Sequence, residues 1–287
     1  MRRALVFGAS GQIGVPLLDH LDDAGWQVYA VSRNQHNDTP GLQWLRGDLD
    51  HVEGLPHEVD TIFSLGPLDQ FGRWYGASKI AAERVIAFGS TSIDVKRGSA
   101  DAAERDIAMR LRQGEQGVLE AAAERDAMAT LLRPTLIYGS ARDRTLTRIA
   151  DLAKRWNRFV LPSGATGLRQ PVHAHDLAAA ALAANAATAA HGKVYALPGG
   201  EVLPYREMVA RVLATLDPPP ALIEVPSPLF NLALLGAKAA GQATGFGEAA
   251  VRRMRSNLVF DAQPAMRDFG YAPRLFRPTA GMFTPYD

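Results

Sequence analysis

Seven residues near the start of the chain, Gly8-Ala9-Ser10-Gly11-Gln12-Ile13-Gly14, have the types and spacing of a phosphate-binding turn. They follow an apolar run at 3–8 and open a helical pattern at 12–24. Gly8 allows a tight turn, Gly11 lets the backbone approach a pyrophosphate, and Gly14 lets the helix pack closely on the strand. The helix N-terminus, with Ser10, Gln12 and Ile13 around it, offers unpaired N–H groups and a positive dipole end to phosphates. The implied chemistry is dinucleotide binding; the alternative is a merely structural turn.

The end of the second apolar run bears on which dinucleotide. An acidic side chain there binds the adenosine ribose hydroxyls, but this chain has Ser32-Arg33-Asn34. No carboxylate repels a 2′-phosphate, and Arg33 can pair with one through charge-assisted hydrogen bonds, so NADP is expected over NAD. A solvated loop cation is the plainer account of Arg33. Asp48 and Leu49 are placed to flank the adenine, and Leu65 and Gly66 to run past the nicotinamide-side ribose.

Positioning these residues requires a regular scaffold. Strand patterns lie at 3–8, 27–31, 42–46, 59–65, 84–90 and 129–137, with helical patterns near 12–24, 50–55, 69–83 and 100–126. Strands alternating with helices predict an α/β fold, a Rossmann doubly wound parallel sheet with helices on both faces. Later come a helix near 145–157, an apolar run at 171–173, a helix at 175–187 and a strand near 193–197. Asp217-Pro218-Pro219-Pro220 then breaks the chain before further helices. The expected division is a nucleotide-binding domain at 1–140, with contributions from 170–197, and a small C-terminal substrate lobe mostly within 141–287.

Composition excludes several other classes. Hydrophobic residues make up 47% of the 287 residues and charged ones 21%, too apolar a balance for a disordered chain. Lys plus Arg is 31 against 30 for Asp plus Glu, so no nucleic-acid partner is called for. With no cysteine there is no disulfide framework or thiolate chemistry, which fits a cytoplasmic protein. No apolar run is long enough for a membrane span; the stretch 229–237 reads as a buried helix, with a membrane-surface role as the alternative.

Several segments together resemble the short-chain dehydrogenase/reductase superfamily, on its extended, epimerase/dehydratase-like branch. They are the glycine loop, Gly47-Asp48-Leu49, the strand from Val85 through Ser90-Thr91, Leu132-Arg133-Pro134-Thr135-Leu136-Ile137-Tyr138-Gly139, and Gln170-Pro171-Val172-His173-Ala174-His175-Asp176. The resemblance implies a Rossmann domain holding NAD(P), with Pro134 beside the cofactor. It also implies a lobe closing over a small hydroxyl- or carbonyl-bearing substrate, often a nucleotide-sugar.

Family catalysis depends on a Ser or Thr after the fifth strand and on a Tyr and a Lys four residues apart on the next helix. Ser90 and Thr91 stand in the first position, with a strand-end hydroxyl bonded to nearby backbone as the alternative reading. Tyr75 and Lys79 have the right spacing but precede the 84–90 strand, so they read as a decoy. Counting back from Arg133-Pro134, Glu115 aligns with a family glutamate, which puts Ile107 and Leu111 where the Tyr and Lys belong. Neither moves a proton, which marks an atypical member. Two readings stay open: an NAD(P)-dependent oxidoreductase or epimerase-type enzyme, and a non-catalytic NADP(H)-binding sensor acting through a protein partner.

Among the remaining residues, Arg142 follows the Tyr138-Gly139 turn and Arg169 precedes Gln170-Pro171, so both are candidates for binding a substrate phosphate or carboxylate. The neighbouring Arg144, Arg148, Lys154, Arg155 and Arg158 read as a solvated helix face. His173, His175 and Asp176 could ligate a metal, but residues two apart usually point different ways; structural hydrogen bonding is expected and no metal. Arg252, Arg253 and Arg255 make only a short basic run. A small-molecule substrate is the expected partner, and a homodimer is compatible.

Overall fold

The computed structural model describes residues 1–143, 145–230 and 248–283. Its centre is a seven-stranded parallel sheet built from β1 (Arg3–Phe7), β2 (Gln27–Ser32), β3 (Leu42–Arg46), β4 (Glu58–Ser64), β5 (Ala81–Phe88), β6 (Met128–Pro134) and β11 (Val194–Leu197). Strand order is β11-β6-β5-β4-β1-β2-β3, so the order reverses between β1 and β4. In such sheets ligands bind beyond the carboxyl ends of the strands at that reversal.

The central strands are nearly continuous apolar runs because both faces are covered. Side chains alternate across them. Ala4 and Val6 point into one core with Leu17 and Leu21 of α1 (Gly14–Asp23) and the alanines of α6 (Ala174–Ala186). Leu5 and Phe7 point into the other, with Phe71 and Tyr75 of α2 (Leu68–Ala77) and Val118 and Ala122 of α4 (Ala102–Ala123). A third core joins α5 (Leu146–Trp156), α7 (Tyr205–Leu213) and β8 (Arg158–Pro162). Beside it β13 (Ala221–Val225) pairs in parallel with β8, a pairing the sequence patterns do not predict, while β7 (Ile137–Tyr138) pairs with β10 (Val172–His173) and β9 (Leu168–Arg169) with β12 (Leu203–Pro204).

Two predicted helices differ from what forms. Residues 50–55 are not helical: Asp48 Oδ1 accepts the N–H groups of Asp50 and His51 at 3.0 and 3.1 Å, and Gly47 bridges to Val52. That local side-chain bond competes successfully with a helix. The helix predicted at 69–83 stops at Ala77. Ser78 is extended and its Oγ takes the Ile80 N–H at 3.1 Å, after which Ala81 and Ala82 pair with Glu58 and Val59. Sheet pairing overrides the helix propensity of Ala-Ala-Glu. The predicted apolar helix at 229–237 lies, from 231 onward, outside the described residues. Among the described residues no helix is long and apolar enough to cross a membrane.

Candidate functional site

The glycine loop joins β1 to α1 at the strand-order reversal. Gly8 has φ +76°, and the Gly11 N–H returns to its carbonyl at 2.9 Å. A Cβ on Gly14 would stand 2.3 Å from the carbonyl oxygens of both Gly8 and Ala9, so only glycine fits there. Leu65 and Gly66 lie against Gly8, and Leu49 packs beneath Gly66. The first turn of α1 has neither a side-chain cap nor an acidic residue. Val15 N–H turns back to the Gly11 carbonyl at 3.1 Å and Pro16 has no N–H, so among the described residues the N–H groups of Ile13 and Gly14 are the ones left to solvent or an anion. In the loop itself, Gln12 Oε1 is buried without a hydrogen-bond partner. Free N–H groups and a stranded polar atom at a glycine cradle fit the pyrophosphate of a dinucleotide.

At the end of β2 the Ser10 and Ser32 hydroxyls lie 3.1 Å apart, and Ser32 Oγ is 3.1 Å from His36 Nε2. His36 stacks on Trp44 with ring centres 4.0 Å apart. Arg33 is exposed and makes no hydrogen bond or ion pair among the described residues. Asp48 points into its own turn, and the N–H groups of His51 and Asp50 hold its carboxyl below the ordinary value.

From this loop a cavity of about 550 Å³ opens toward the later part of the chain. Gln12 forms one wall, and Ser90, Thr91 and the short α3 (Ser92–Val95) another. Ile149 of α5, Tyr205 of α7 and Met254, Leu258 and Phe260 complete it. Thr91 is buried and its hydroxyl donates to the Pro134 carbonyl at 3.1 Å, which also receives the Thr91 N–H at 3.2 Å. Ser90 Oγ accepts the Ser92 N–H at 3.1 Å, and its own O–H is uncommitted. Both strand-end bonds that the sequence suggested are present, yet both residues also face the cavity.

The two predicted substrate arginines lie at the cavity but are engaged elsewhere. Arg142 donates to the Ser10 carbonyl, which puts it at the glycine loop rather than out in the cleft. Arg169 is buried and donates to the carbonyls of Leu168, Ser256 and Arg253 at 2.7, 2.8 and 2.5 Å. Burial pushes its pKa down to about 10. Arg169 therefore ties the cavity wall together. Lys154, Arg155 and Arg158 are exposed, as a solvated face requires, and Arg144 lies outside the described residues.

Tyr75 is fully buried in the core under the sheet, with ring centres 5.7 Å from Phe71, and Lys79 follows the helix end. Neither lines the cavity. Glu115 forms a buried bidentate pair with Arg133 at 2.7 and 2.5 Å, and Leu111 packs into the core. His173 is buried and its Nδ1 accepts the His175 N–H at 3.1 Å. Burial first, then Arg274 and His175, lower its pKa to about 4. Asp176 is taken by Arg274 at 2.8 Å. These three residues serve the packing of α6. Sequence reasoning passed over Lys96, Tyr205 and the Met254–Phe260 wall, and read Arg253 only as part of a short basic run. Only the closeness of Lys96 to Ser90 and Thr91 in sequence could have signalled one of them.

No family model matches the chain. A 2-alkyl-3-oxoalkanoate reductase of Stenotrophomonas maltophilia (strain K279a) is 28% identical over 331 aligned positions, covering 95% of this chain and 95% of its own length. A decarboxylating sterol-4-alpha-carboxylate 3-dehydrogenase of Bos taurus is 25% identical over 253 positions, covering 75% of this chain and 70% of its own. The structure of a UDP-glucuronic acid 4-epimerase from Bacillus cereus, in complex with UDP-glucuronic acid and NAD, superposes with a TM-score of 0.68 at 13% identity, covering 96% of this chain and 95% of its own. Strand order, glycine loop and curated relatives agree: the chain is similar to proteins of the short-chain dehydrogenase/reductase type.

Proposed function

We propose that this chain is an NADP(H)-dependent oxidoreductase that interconverts a carbonyl and a hydroxyl on a small molecule held in the cavity. The observation that carries this reading is the continuity of one cavity, from Gln12 of the glycine loop to the hydroxyls of Ser90 and Thr91. A concave cleft of this size beside the cofactor loop favours an enzyme over a non-catalytic binder. The curated relatives, named as a reductase and a dehydrogenase, support the same reaction class.

When bound, the cofactor supplies hydride-transfer chemistry. Gly8, Ser10, Gly11, Gln12 and Ile13 would hold its pyrophosphate, Ser32 and Arg33 the 2′-phosphate, and Asp48 and Leu49 the adenine end. Leu65, Gly66 and Pro134 would border the ribose nearer the reacting ring. Ser90 acts on the substrate: its free O–H donates to the carbonyl oxygen, stabilising the negative charge that grows there. The Thr91 proton is committed to Pro134, so this hydroxyl offers lone pairs to an incoming alcohol O–H.

Titration of the purified protein with NADPH and NADH tests the cofactor. NADPH is expected to bind more tightly, and Arg33→Ser to remove about ten- to a hundredfold of that affinity while sparing NADH. Equal affinities, or an indifferent Arg33→Ser, would overturn the NADP assignment. Oxidation of NADPH by a panel of ketones and aldehydes, reduced about a hundredfold in Ser90→Ala, tests the reaction. Turnover of nucleotide-sugars without net cofactor oxidation would replace it with an epimerase. Binding of neither cofactor would refute the function altogether.

A further inference from the structure

Five cations and one acid line the cavity: Lys96, Arg142, Arg148, Arg169 and Arg253 against Asp143. Most of that charge is already used. The Asp143 carboxylate caps α5, accepting the N–H groups of Thr145 and Thr147 at 3.0 and 3.1 Å and the Thr147 hydroxyl at 2.6 Å. Arg253 is paired with Glu104, Arg169 with three carbonyls and Arg142 with the Ser10 carbonyl. Arg148 is engaged as well.

Lys96 is different. It closes α3, its backbone N–H bonded to the Ser92 carbonyl at 3.0 Å, so its side chain shares a helix face with Ser92 and stands beyond Ser90 on the same wall. The side chain is half-buried, and its ammonium makes no hydrogen bond or ion pair among the described residues. Burial and then the Arg253 guanidinium push its pKa down, while Glu104 and Asp101 oppose the shift. A partly buried cation facing another cation, with no counter-ion in contact, is stabilised by any anion the cavity admits. The same cavity is lined by the apolar side chains of Val95, Ile149, Met254, Leu258 and Phe260.

We propose that Lys96 is the anion-binding group of the substrate site and that the substrate is a carboxylic acid with an apolar body. One uncommitted cation matches one negative charge, and the apolar side chains of the lining offer aliphatic and aromatic surface to the rest of the molecule. A nucleoside diphosphate would bring at least two negative charges against this one uncommitted ammonium. The inference rests on the cavity's being the substrate site of the proposed oxidoreductase, but its test does not need turnover.

The test is calorimetric titration of the NADPH-loaded protein with octanoate and with its neutral analogue octanamide, repeated on the cofactor-free protein. Octanoate is expected to bind at least about tenfold more tightly. Lys96→Met should erase that ratio and Lys96→Arg should keep most of it, both with unchanged NADPH affinity. If Lys96→Met loses NADPH binding or melts early, Lys96→Gln takes its place in the same comparison. Equal binding of acid and amide, or a ratio that survives loss of the ammonium, would overturn the proposal. Tight UDP binding that depends on Lys96, without any preference for octanoate, would overturn the carboxylate in favour of a phosphate. Failure of the oxidoreductase reading looks different: NADPH binding or turnover is lost while the preference for acid over amide persists.

Discussion

Replacing Tyr75 with Phe separates a spacing that resembles catalysis from a residue that builds the core. Tyr75 is fully buried on α2, its ring nearly parallel to Phe71, and its hydroxyl has no hydrogen-bond partner. Arg125 lies over the ring face at 4.6 Å and gives its N–H groups to the carbonyls of Tyr75, Gly76 and Ser78. Burial accordingly pushes the phenol pKa up, with Arg125 only partly offsetting it. A buried hydroxyl left unsatisfied costs about 1–3 kcal/mol. Phe keeps the ring stack and the cation over it, and the small void left by one oxygen returns a few tenths of a kcal/mol. The expected result is a net gain of about 1 kcal/mol, or about 2 °C in Tm for a chain of this size. Urea unfolding would measure it, alongside NADPH titration and turnover, both expected unchanged. A catalytic tyrosine would behave in the opposite way, losing roughly a hundredfold or more in turnover at constant stability. That pattern, or a loss of more than about 1 kcal/mol in stability, would refute the core assignment.

Two further perturbations test the scaffold. Glu115→Gln leaves the Arg133 guanidinium, whose charge the Glu115 hydrogen bonds sustain, with Asp94 alone at 3.3 Å; the urea midpoint should fall by the equivalent of roughly 2–4 kcal/mol, and an unchanged midpoint would show the pair to be dispensable. His173 is held neutral by burial, with Arg274 and His175 opposing its protonation and Asp176 favouring it. Its folded pKa of about 4 lies below the ordinary 6.5, so its contribution is full above pH 6.5 and is lost as pH falls toward 4. Between those values the unfolding free energy should drop by roughly 2–3 kcal/mol, and His173→Gln should flatten that part of the curve.

The sheet and the cofactor loop were legible because they depend on local rules. Apolar runs of five to seven residues mark strands buried on both faces, and the spacing of the glycines answers local backbone geometry, the positive φ of Gly8 and the carbonyls of Gly8 and Ala9 that crowd Gly11 and Gly14. That Tyr75 and Lys79 come before β5, away from the end of that strand, was legible too. Errors arose where local and distant bonds compete. The Asp48 carboxylate unmade a helix at 50–55, and pairing with β4 pulled Ala81 and Ala82 out of one. The cavity wall was hidden for a different reason. Arg169 meets its partners Arg253 and Ser256 across more than eighty residues, and no spacing rule links Lys96 to Met254 or Phe260. Arg142 and Arg169 do line the cavity, but their engagement by backbone carbonyls depends on neighbours that only the folded chain supplies.

The path of the chain through the sheet governs the order in which the protein can assemble during synthesis. The core that holds α1 against the sheet needs Val172, the α6 alanines, Tyr195 and Leu197, and finally Ala265 and Tyr271. Until β11 arrives, the outer edge of β6 is an unpaired row of N–H and C=O groups flanked by Leu131 and Leu132. A ribosome that has released only the first half of the chain has thus exported a sheet with one face covered by α1 alone and one open edge. The cofactor loop comes early in translation, yet its supporting helix is fully backed only when nearly the whole polypeptide has emerged.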